Sequence, residues 1–323
     1  MRTSAPENTA SVSRQRTGAI LIANPTAGSY TQHQRQIEET IAFLQSHGWQ
    51  VDLRLTRVAG EARTLAEEAV AQHMDIVVAI GGDGTINEII QELAGSETAL
   101  GILPTGTMNV WAREIGIPLD SEGAQEILLH GRVRRIDLGK VNERYFLLMA
   151  GIGFDGEVTH AVEKRPAKRL GILGYLLVGA WLGLGYPAFR AMVEIDGRLM
   201  KTNALQIIIG NTQLYAGAMK YTWKARCDDG LLDICIVRRQ SMVGRIIVMM
   251  SFLFNHSHRS RLVRYEKGRS VTVYTRYPVA IQIDGDPAGY TSVEEPTEVS
   301  IAPRVLKVIV PQQAPAELFS DEA

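Results

Sequence analysis

The chain has 323 residues, of which 46% are hydrophobic and 21% charged, which is material for two globular domains rather than one. A formal net charge of −1 gives no global field to attract nucleic acid, so any anionic ligand must be held by local features. The only cysteines, Cys227 and Cys235, exclude a disulfide framework and a Cys-x-x-Cys zinc site; they fit a reducing compartment and buried positions in or near a strand.

Residues 1–17 lack an apolar stretch, so they are not a secretory signal and are expected to be a disordered tail; Arg2, Arg14 and Arg16 leave a transit peptide open, although Glu7 weighs against it. From Gly18 the pattern alternates. Gly18 to Ala23 is a short apolar strand, Gln32 to His47 has helical spacing, Gln50 to Leu55 alternates like a half-buried strand, and Glu61 to His73 is helical. Asp75 to Ile80 is a buried strand, Thr85 to Leu93 a helix and Ala99 to Leu103 a strand. Strands alternating with helices predict a doubly wound, mostly parallel α/β domain over 18–138, with its ligand at the carboxyl ends of the strands.

Near Arg132 the pattern changes to strands: Arg134 to Val141, Tyr145 to Ala150, Ala188 to Ile195, Ala204 to Ile209, Leu231 to Val237, Ser270 to Tyr274, Val279 to Ile283, Glu298 to Ile301 and Leu306 to Val310. These predict a β-rich, mostly antiparallel, two-sheet domain over 139–311, interrupted by apolar helices at Leu170 to Gly185 and Met242 to Phe254, with a flexible tail over 312–323.

Three early strands end in polar, glycine-bearing loops that gather on one sheet edge: Asn24-Pro25-Thr26-Ala27-Gly28, Gly81-Gly82-Asp83-Gly84-Thr85-Ile86-Asn87-Glu88, and Pro104-Thr105-Gly106-Thr107-Met108-Asn109. Glycines let backbone N–H groups approach a ligand, and a helix starting near Thr85 turns its positive end toward a phosphate. Thr85 and Thr107 add hydroxyls, and Asn24, Asn87 and Asn109 add neutral contacts. Asp83 would repel phosphate unless a cation intervenes, and an oxygen-only magnesium site resolves that conflict. Gly81 to Gly84 alone could equally be a tight turn; three such loops after three strands argue for a magnesium–nucleotide site.

GGDGTINEI resembles the signature of the diacylglycerol kinase catalytic family, which includes sphingosine and ceramide kinases and bacterial lipid kinases. NPTAG is similar to that family's first nucleotide loop, PTGTMNVWA to its PxGTxNDxA segment with Val110 where Asp is usual, GIGFDGEV to its GxGFD segment, and CDDGLLD to its DDGxLD segment. IDGDPAG resembles its IDGE segment, with Asp286 in place of Glu. The resemblance runs from about Ile20 to Gly289 and implies a cytoplasmic enzyme that visits the inner face of the membrane and transfers phosphate from ATP, with Mg²⁺, to a lipid hydroxyl. It implies that Asn24 to Gly28, Thr56, Gly81 to Asn87 and Thr107 line the ATP site, and that Asp286 stands where the family's proton acceptor stands. Asp284 would face the same side of a strand as Asp286. Asp229, with the carbonyls of Arg226 and Leu231, would match a structural Mg²⁺ site, and Asp155 would link that site to the cleft. Asp284 to Pro287 and Asp228 to Gly230 could also be plain turns.

Other patterns carry less. Gly151 to Gly156 fits G-x-G-x-x-G but lies in the β-rich half, where no strand–helix–strand unit is evident. His256 and His258 read as surface or capping residues. The run Leu170 to Gly185 follows Lys164, Arg165, Lys168 and Arg169, is short of the roughly 20 residues of a spanning helix, and carries five glycines. A core helix, an interfacial lipid-entry helix and a transmembrane helix all stay open for it. The expected partners are a membrane lipid substrate and a transient membrane contact, without nucleic acid; a homodimer is compatible with the sequence but not read from it. A kinase of NAD or another soluble metabolite, and an inactive nucleotide- or lipid-binding regulator, are the alternative functions, the latter motivated by Val110 and Asp286.

Overall fold

A computed structural model describes residues 17–25, 30–163, 178–179, 181–183, 185–215, 219–254, 260 and 262–320. The expectations for 1–16, Thr26 to Gly28, most of Leu170 to Gly185, and His256 and His258 lie outside the described residues.

The N-terminal half runs β1 (Gly18–Ala23), α1 (Tyr30–Ser46), β2 (Gln50–Leu55), α2 (Glu61–Ala71), β3 (Ile76–Gly81), α3 (Asp83–Leu93), β4 (Ala99–Pro104), α4 (Val110–Ile115) and α5 (Ser121–His130). β2, β1, β3 and β4 pair in that order, all parallel. β1, β3 and β4 are buried on both faces, whereas β2, at the edge, is only half buried, which is why it alone alternates in sequence. The short helix α4 and helix α5 were not among the predicted elements. Helix α4 has only six residues, five of them buried, too short for a helical period to show, and α5 starts on an Asp120 side chain that accepts from the Gly123 N–H at 2.8 Å.

The second half runs β5 (Arg132–Val141), β6 (Arg144–Phe146), β7 (Met149–Gly153), α6 (Phe154–Glu163), β8 (Phe189–Ile195), β9 (Arg198–Gly210), β10 (Leu214–Tyr215), β11 (Met219–Lys220), β12 (Leu232–Arg238), α7 (Met242–Leu253), β13 (Val263–Gly268), β14 (Ser270–Thr275), β15 (Ala280–Ile283), β16 (Asp286–Tyr290) and β17 (Thr297–Val310). Its pairings are antiparallel, apart from β17 with β4. A second apolar core fills this half, built on alternating inward residues such as Phe189, Ala191, Val193 and Ile195 of β8. Cys227 and Cys235 are buried and unbridged.

The halves are stitched by β17, which pairs antiparallel with β14 near its start and parallel with β4 near its end. Hydrogen bonding thus runs continuously through both halves. The two strands expected at Glu298 to Ile301 and Leu306 to Val310 are one strand with an irregularity between Ala302 and Leu306, where Arg304 has a φ of 51°. Asp137 of β5 explains the break: its carboxylate accepts from the Arg304 N–H at 2.7 Å and from the Gly230 N–H at 2.6 Å. Residues 312–320, expected to be loose, instead carry a 3₁₀ turn at Ala316–Leu318 and bury Leu318 and Phe319 against the core, with Arg134 over the Phe319 ring.

Candidate active site

The second and third glycine loops are locked to each other. Asp83 opens α3, and its two carboxylate oxygens accept from the Val110 N–H at 3.0 Å and the Trp111 N–H at 3.1 Å. The first two amides of α4 thus neutralise part of this acid's charge, and each oxygen keeps a lone pair for a further partner. Burial nonetheless pushes the Asp83 carboxyl up, against those two amides. Gly82 and Gly106 touch backbone to backbone, so a Cβ on Gly106 would overlap the Gly82 Cα. Asn109, at a φ of 46°, closes its own loop by accepting from the Gly106 N–H at 3.0 Å and donating to the Gly106 carbonyl at 2.8 Å. Thr107 is left exposed on that loop.

The block extends sideways through Glu88, whose carboxylate accepts from the N–H groups of Gly60 at 3.1 Å and Ala62 at 3.2 Å, tying α3 to the start of α2. An open cleft of about 700 Å³ lies beside it, lined by Pro25, Leu55, Thr56, Arg57, Glu61 and neighbours at the carboxyl ends of β1 and β2. Thr56 is buried, its N–H donating to the Ala23 carbonyl at 2.9 Å. Gly84 has open space where a Cβ would stand, and Thr85 is packed under Gly81. The cleft thus opens at the carboxyl ends of β1 and β2, the edge at which a sheet of this kind takes its ligand.

The predicted acids of the second half sit differently from expectation. Asp284 and Asp286 do not share a strand. Asp284 and Gly285 have φ of 50° and 87° and form a two-residue hairpin turn in which Ile283 pairs with Asp286. Asp284 therefore points inward. Its carboxylate accepts from the N–H groups of Leu147 at 2.8 Å, Leu148 at 2.9 Å and Met149 at 3.0 Å, and from Asn87 Nδ2 at 2.8 Å. Burial pushes this carboxyl up to about 6 in spite of those donors. The same amides explain why the strand expected over Tyr145 to Ala150 is split into β6 and β7: at Leu147 and Leu148 the backbone serves Asp284.

Asp286 lies just past the turn, half exposed, with Arg144 Nη2 at 3.7 Å. Arg144 also donates to Asn87 Oδ1 at 2.9 Å. Asn87, 197 positions before Asp284, thus joins the glycine-loop helix to the hairpin that carries Asp286. Gln91, one turn further along α3, reinforces the seam by accepting from the Tyr145 N–H and donating to the Tyr145 carbonyl, both at 3.0 Å. Arg144 and Gln91 were not singled out in the sequence. Neither belongs to a recognisable motif; their role appears only once β6 is laid against α3.

Asp155, expected to link a metal site to the cleft, is fully enclosed, accepting from the Tyr215 hydroxyl and from Gln282 Nε2 at 2.7 Å. Burial pushes it up to about 6. Gln282 in turn accepts from the Gly285 N–H at 2.8 Å, so Asp155 braces the hairpin turn from behind. The segment Gly151 to Gly156 does run from a strand into a helix, β7 into α6, which the sequence did not reveal. Both neighbours of β7, β9 and β15, are antiparallel to it, so no dinucleotide-binding unit forms.

At the expected structural metal site, Asp229 accepts from the Leu231 N–H at 3.1 Å and meets Lys267 Nζ at 3.3 Å. Lys267 also lies 2.9 Å from Asp233. Its ammonium thus lies against both carboxylates, beside the expected donor set of Arg226, Asp229 and Leu231. Among the described residues no group of three or more His, Cys, Asp or Glu side chains could hold a metal.

A carboxylate that the sequence did not flag ties α4 to the second half. Glu114 is 7% exposed, and its Oε1 accepts from the N–H groups of Gln213 at 2.5 Å and Leu214 at 3.0 Å, while Oε2 meets no hydrogen-bond partner among the described residues. Burial pushes the carboxyl up to about 7 from an ordinary 4.5. The folded state therefore holds this proton more tightly than the unfolded chain. Its contribution to stability is complete below about pH 4.5 and is lost as pH rises through about 7. Glu114→Gln keeps an amide oxygen for the two N–H groups and removes the titration. Urea unfolding at pH 5 and pH 8 should show the variant gaining on wild type at pH 8, by up to about 3 kcal/mol.

Residues 18–141 match the family model of the diacylglycerol kinase catalytic domain, and residues 149–310 match that of the YegS C-terminal NAD kinase beta sandwich-like domain. Two Staphylococcus aureus proteins named diacylglycerol kinase are each 29% identical over 293 residues, 87% of this chain and 91% of theirs. A crystal structure of a diacylglycerol kinase from Bacillus anthracis str. Sterne superposes with a TM-score of 0.69 at 20% identity, covering 92% of this chain and 97% of that one. Another solved chain from that organism gives a TM-score of 0.75 at 22% identity, covering 91% and 97%. The α/β half carrying the glycine loops and the antiparallel half carrying the Asp286 hairpin are thus matched along their lengths, and the chain belongs to the diacylglycerol kinase catalytic-domain family, with the YegS-type C-terminal domain.

Proposed function

We propose that this protein phosphorylates a lipid hydroxyl with ATP, yielding ADP and a phospholipid, phosphatidic acid when the acceptor is diacylglycerol. The observation that carries the reading is the junction of Asn87, Arg144, Asp284 and Asp286, which joins the glycine-loop helix to the hairpin bearing an accessible carboxylate. The nucleotide lies along the carboxyl ends of β1, β2 and β3, against Asn24, Pro25, Thr56 and the Gly81 to Asn87 segment, and sequence continuity adds Thr26, Ala27 and Gly28. Magnesium bound with the nucleotide would neutralise phosphate charge, and Asp83 and Thr107 are the side chains that would hold the pair.

Phosphoryl transfer asks the protein mainly for positioning and charge balance. The acceptor oxygen forms a bond to the γ-phosphorus as the bond to the β–γ bridging oxygen breaks. ADP leaves, and the hydroxyl proton passes to Asp286, which Arg144 orients. Asp284 is a positioning residue that sets the hairpin and does not meet substrate. The enzyme works at the inner face of the membrane, from the cytoplasm.

Isothermal calorimetry of the protein with ATP checks the nucleotide half of this reading. Binding should appear with magnesium and fall at least tenfold in affinity when a chelator removes it; uptake indifferent to the chelator would count against Asp83 and the loops as a magnesium–nucleotide site.

A further inference from the structure

Helix α7 is apolar nearly all round, yet only one strip of it faces the protein. Gly244, Val248 and Phe252, spaced four apart, are buried; Met242, Val243, Ile246, Ile247, Met249 and Met250 are exposed, and Phe254 just beyond is 64% exposed. Isolated exposed hydrophobics need no explanation, but this many on one helix make a contiguous patch of a kind that soluble surfaces rarely leave uncovered. A second segment joins it: Arg245 donates to the Gly183 carbonyl at 2.7 Å, beside Trp181, which is 63% exposed.

Charge identifies what covers the patch. From Ile234 to Tyr265 the sequence holds Arg238, Arg239, Arg245, Arg259, Arg261 and Arg264, and no Asp or Glu. At the foot of α7, a cleft of about 390 Å³ is lined by Lys201, Asn203, Arg238, Arg239 and Arg264 among others. Of these cations Arg264 pairs with Glu266 at 2.6 Å, whereas Lys201, Arg238 and Arg239 pair with no carboxylate among the described residues. Only Gln240 and Ser241 separate Arg239 from α7, so the basic cleft and the apolar face begin within about 11 Å of chain of each other. No described helix is long and apolar enough to cross a membrane.

We propose that α7, with Trp181, is the surface by which the protein docks on an anionic bilayer: its apolar face enters the headgroup–acyl boundary, and the Lys201, Arg238 and Arg239 cleft takes a phosphate headgroup. The surface is built for a lipid substrate and so rests on the kinase reading, but docking needs neither ATP nor an acceptor. It also leans on the site. The Phe252 ring meets Tyr221 at a tilt, centroids 4.2 Å apart, Tyr221 meets Tyr215 edge-to-face at 5.0 Å, and Tyr215 bonds Asp155, which braces the hairpin of Asp286 through Gln282.

Co-sedimentation with phosphatidylglycerol vesicles and with phosphatidylcholine vesicles, both without acceptor lipid or ATP, tests this. Wild type should bind the anionic vesicles at least tenfold more tightly, and Arg238→Glu/Arg239→Glu should lose most of that preference, since each basic residue near such a surface is worth roughly fivefold. Ile247→Asp, at an exposed position that folding does not depend on, should weaken binding to both vesicle types. Both variants should still phosphorylate a short-chain acceptor dispersed in detergent within about twofold of wild type. Wild type that ignores vesicles, or variants that bind like wild type, would overturn the proposal. So would a dimer in sedimentation velocity that Ile247→Asp dissociates while vesicles stay unbound, because a second copy would then be the cover. Loss of the kinase reading would leave vesicle binding intact, and loss of vesicle binding would leave transfer to the dispersed acceptor intact.

Discussion

Replacing Asp284 with Ala should lower the stability of the folded chain by about 3–5 kcal/mol, because it strands a set of buried donors at once. The Asp284 carboxylate, itself partly buried, is the shared acceptor for the amides of Leu147, Leu148 and Met149 and for Asn87, all four of them buried residues. An unsatisfied buried donor costs about 1–3 kcal/mol, and the costs do not simply add, since the loop between β6 and β7 can relax toward water. Relaxation there has its own consequence. That loop and Asn87 hold the glycine-loop helix against the hairpin, so activity should fall with stability. Thermal unfolding should show a drop on the order of 10 °C. Asp284→Asn should be little better, because its amide NH₂ would face donors. A shift below about 2 °C would mean that the four donors find other acceptors and that Asp284 is not the clamp.

Asp286→Asn should have the opposite profile, with stability unchanged and kcat reduced by about 10²–10⁴-fold, the usual range for losing a general base. Its side chain is 49% exposed, so an isosteric replacement costs little burial. The amide keeps the shape and the contact with Arg144 but cannot take the proton of the acceptor hydroxyl. The Km for ATP should stay close to wild type, because Asp286 belongs to the β15–β16 hairpin of the second half and not to the glycine loops. Asp286→Glu, which restores the family's residue, should retain activity within about tenfold and separate reach from proton affinity as the cause of the loss. Asp286→Asn with kcat within threefold of wild type would remove Asp286 from the chemistry.

The sequence made the nucleotide half legible because its strands are buried on both faces and its loops carry glycines in a fixed order after them. The ends of β1, β3 and β4 fall within a residue or two of expectation. It was less legible wherever one side chain overrules the backbone pattern. Asp284 interrupts an apolar run that reads as one strand, and Asp137 bends β17 where two strands were expected. The roles of Asp83, Asp155 and Asp229 could not be read from composition, because an acid next to glycines looks the same whether it meets a metal, an amide or a lysine. The structure gives Asp83 two amides, Asp155 a tyrosine and a glutamine, and Asp229 the Lys267 ammonium. Arg144 and Glu114 act between halves of the chain, and contacts of that range leave no local trace.

Helix α7 shows the converse case. Its boundaries were predicted within a residue, but an apolar run alone cannot say whether it is buried; only the exposure of its outer residues separates a core helix from a docking one.

The most direct test of the central claim follows γ-labelled ATP into products with detergent-dispersed diacylglycerol, a total lipid extract, or NAD as the acceptor, each with and without magnesium. The account predicts label in a chloroform-soluble phospholipid, only with magnesium and only with protein whose Asp286 is intact. Label passing to NAD or another soluble acceptor while the lipid fractions stay blank would contradict it.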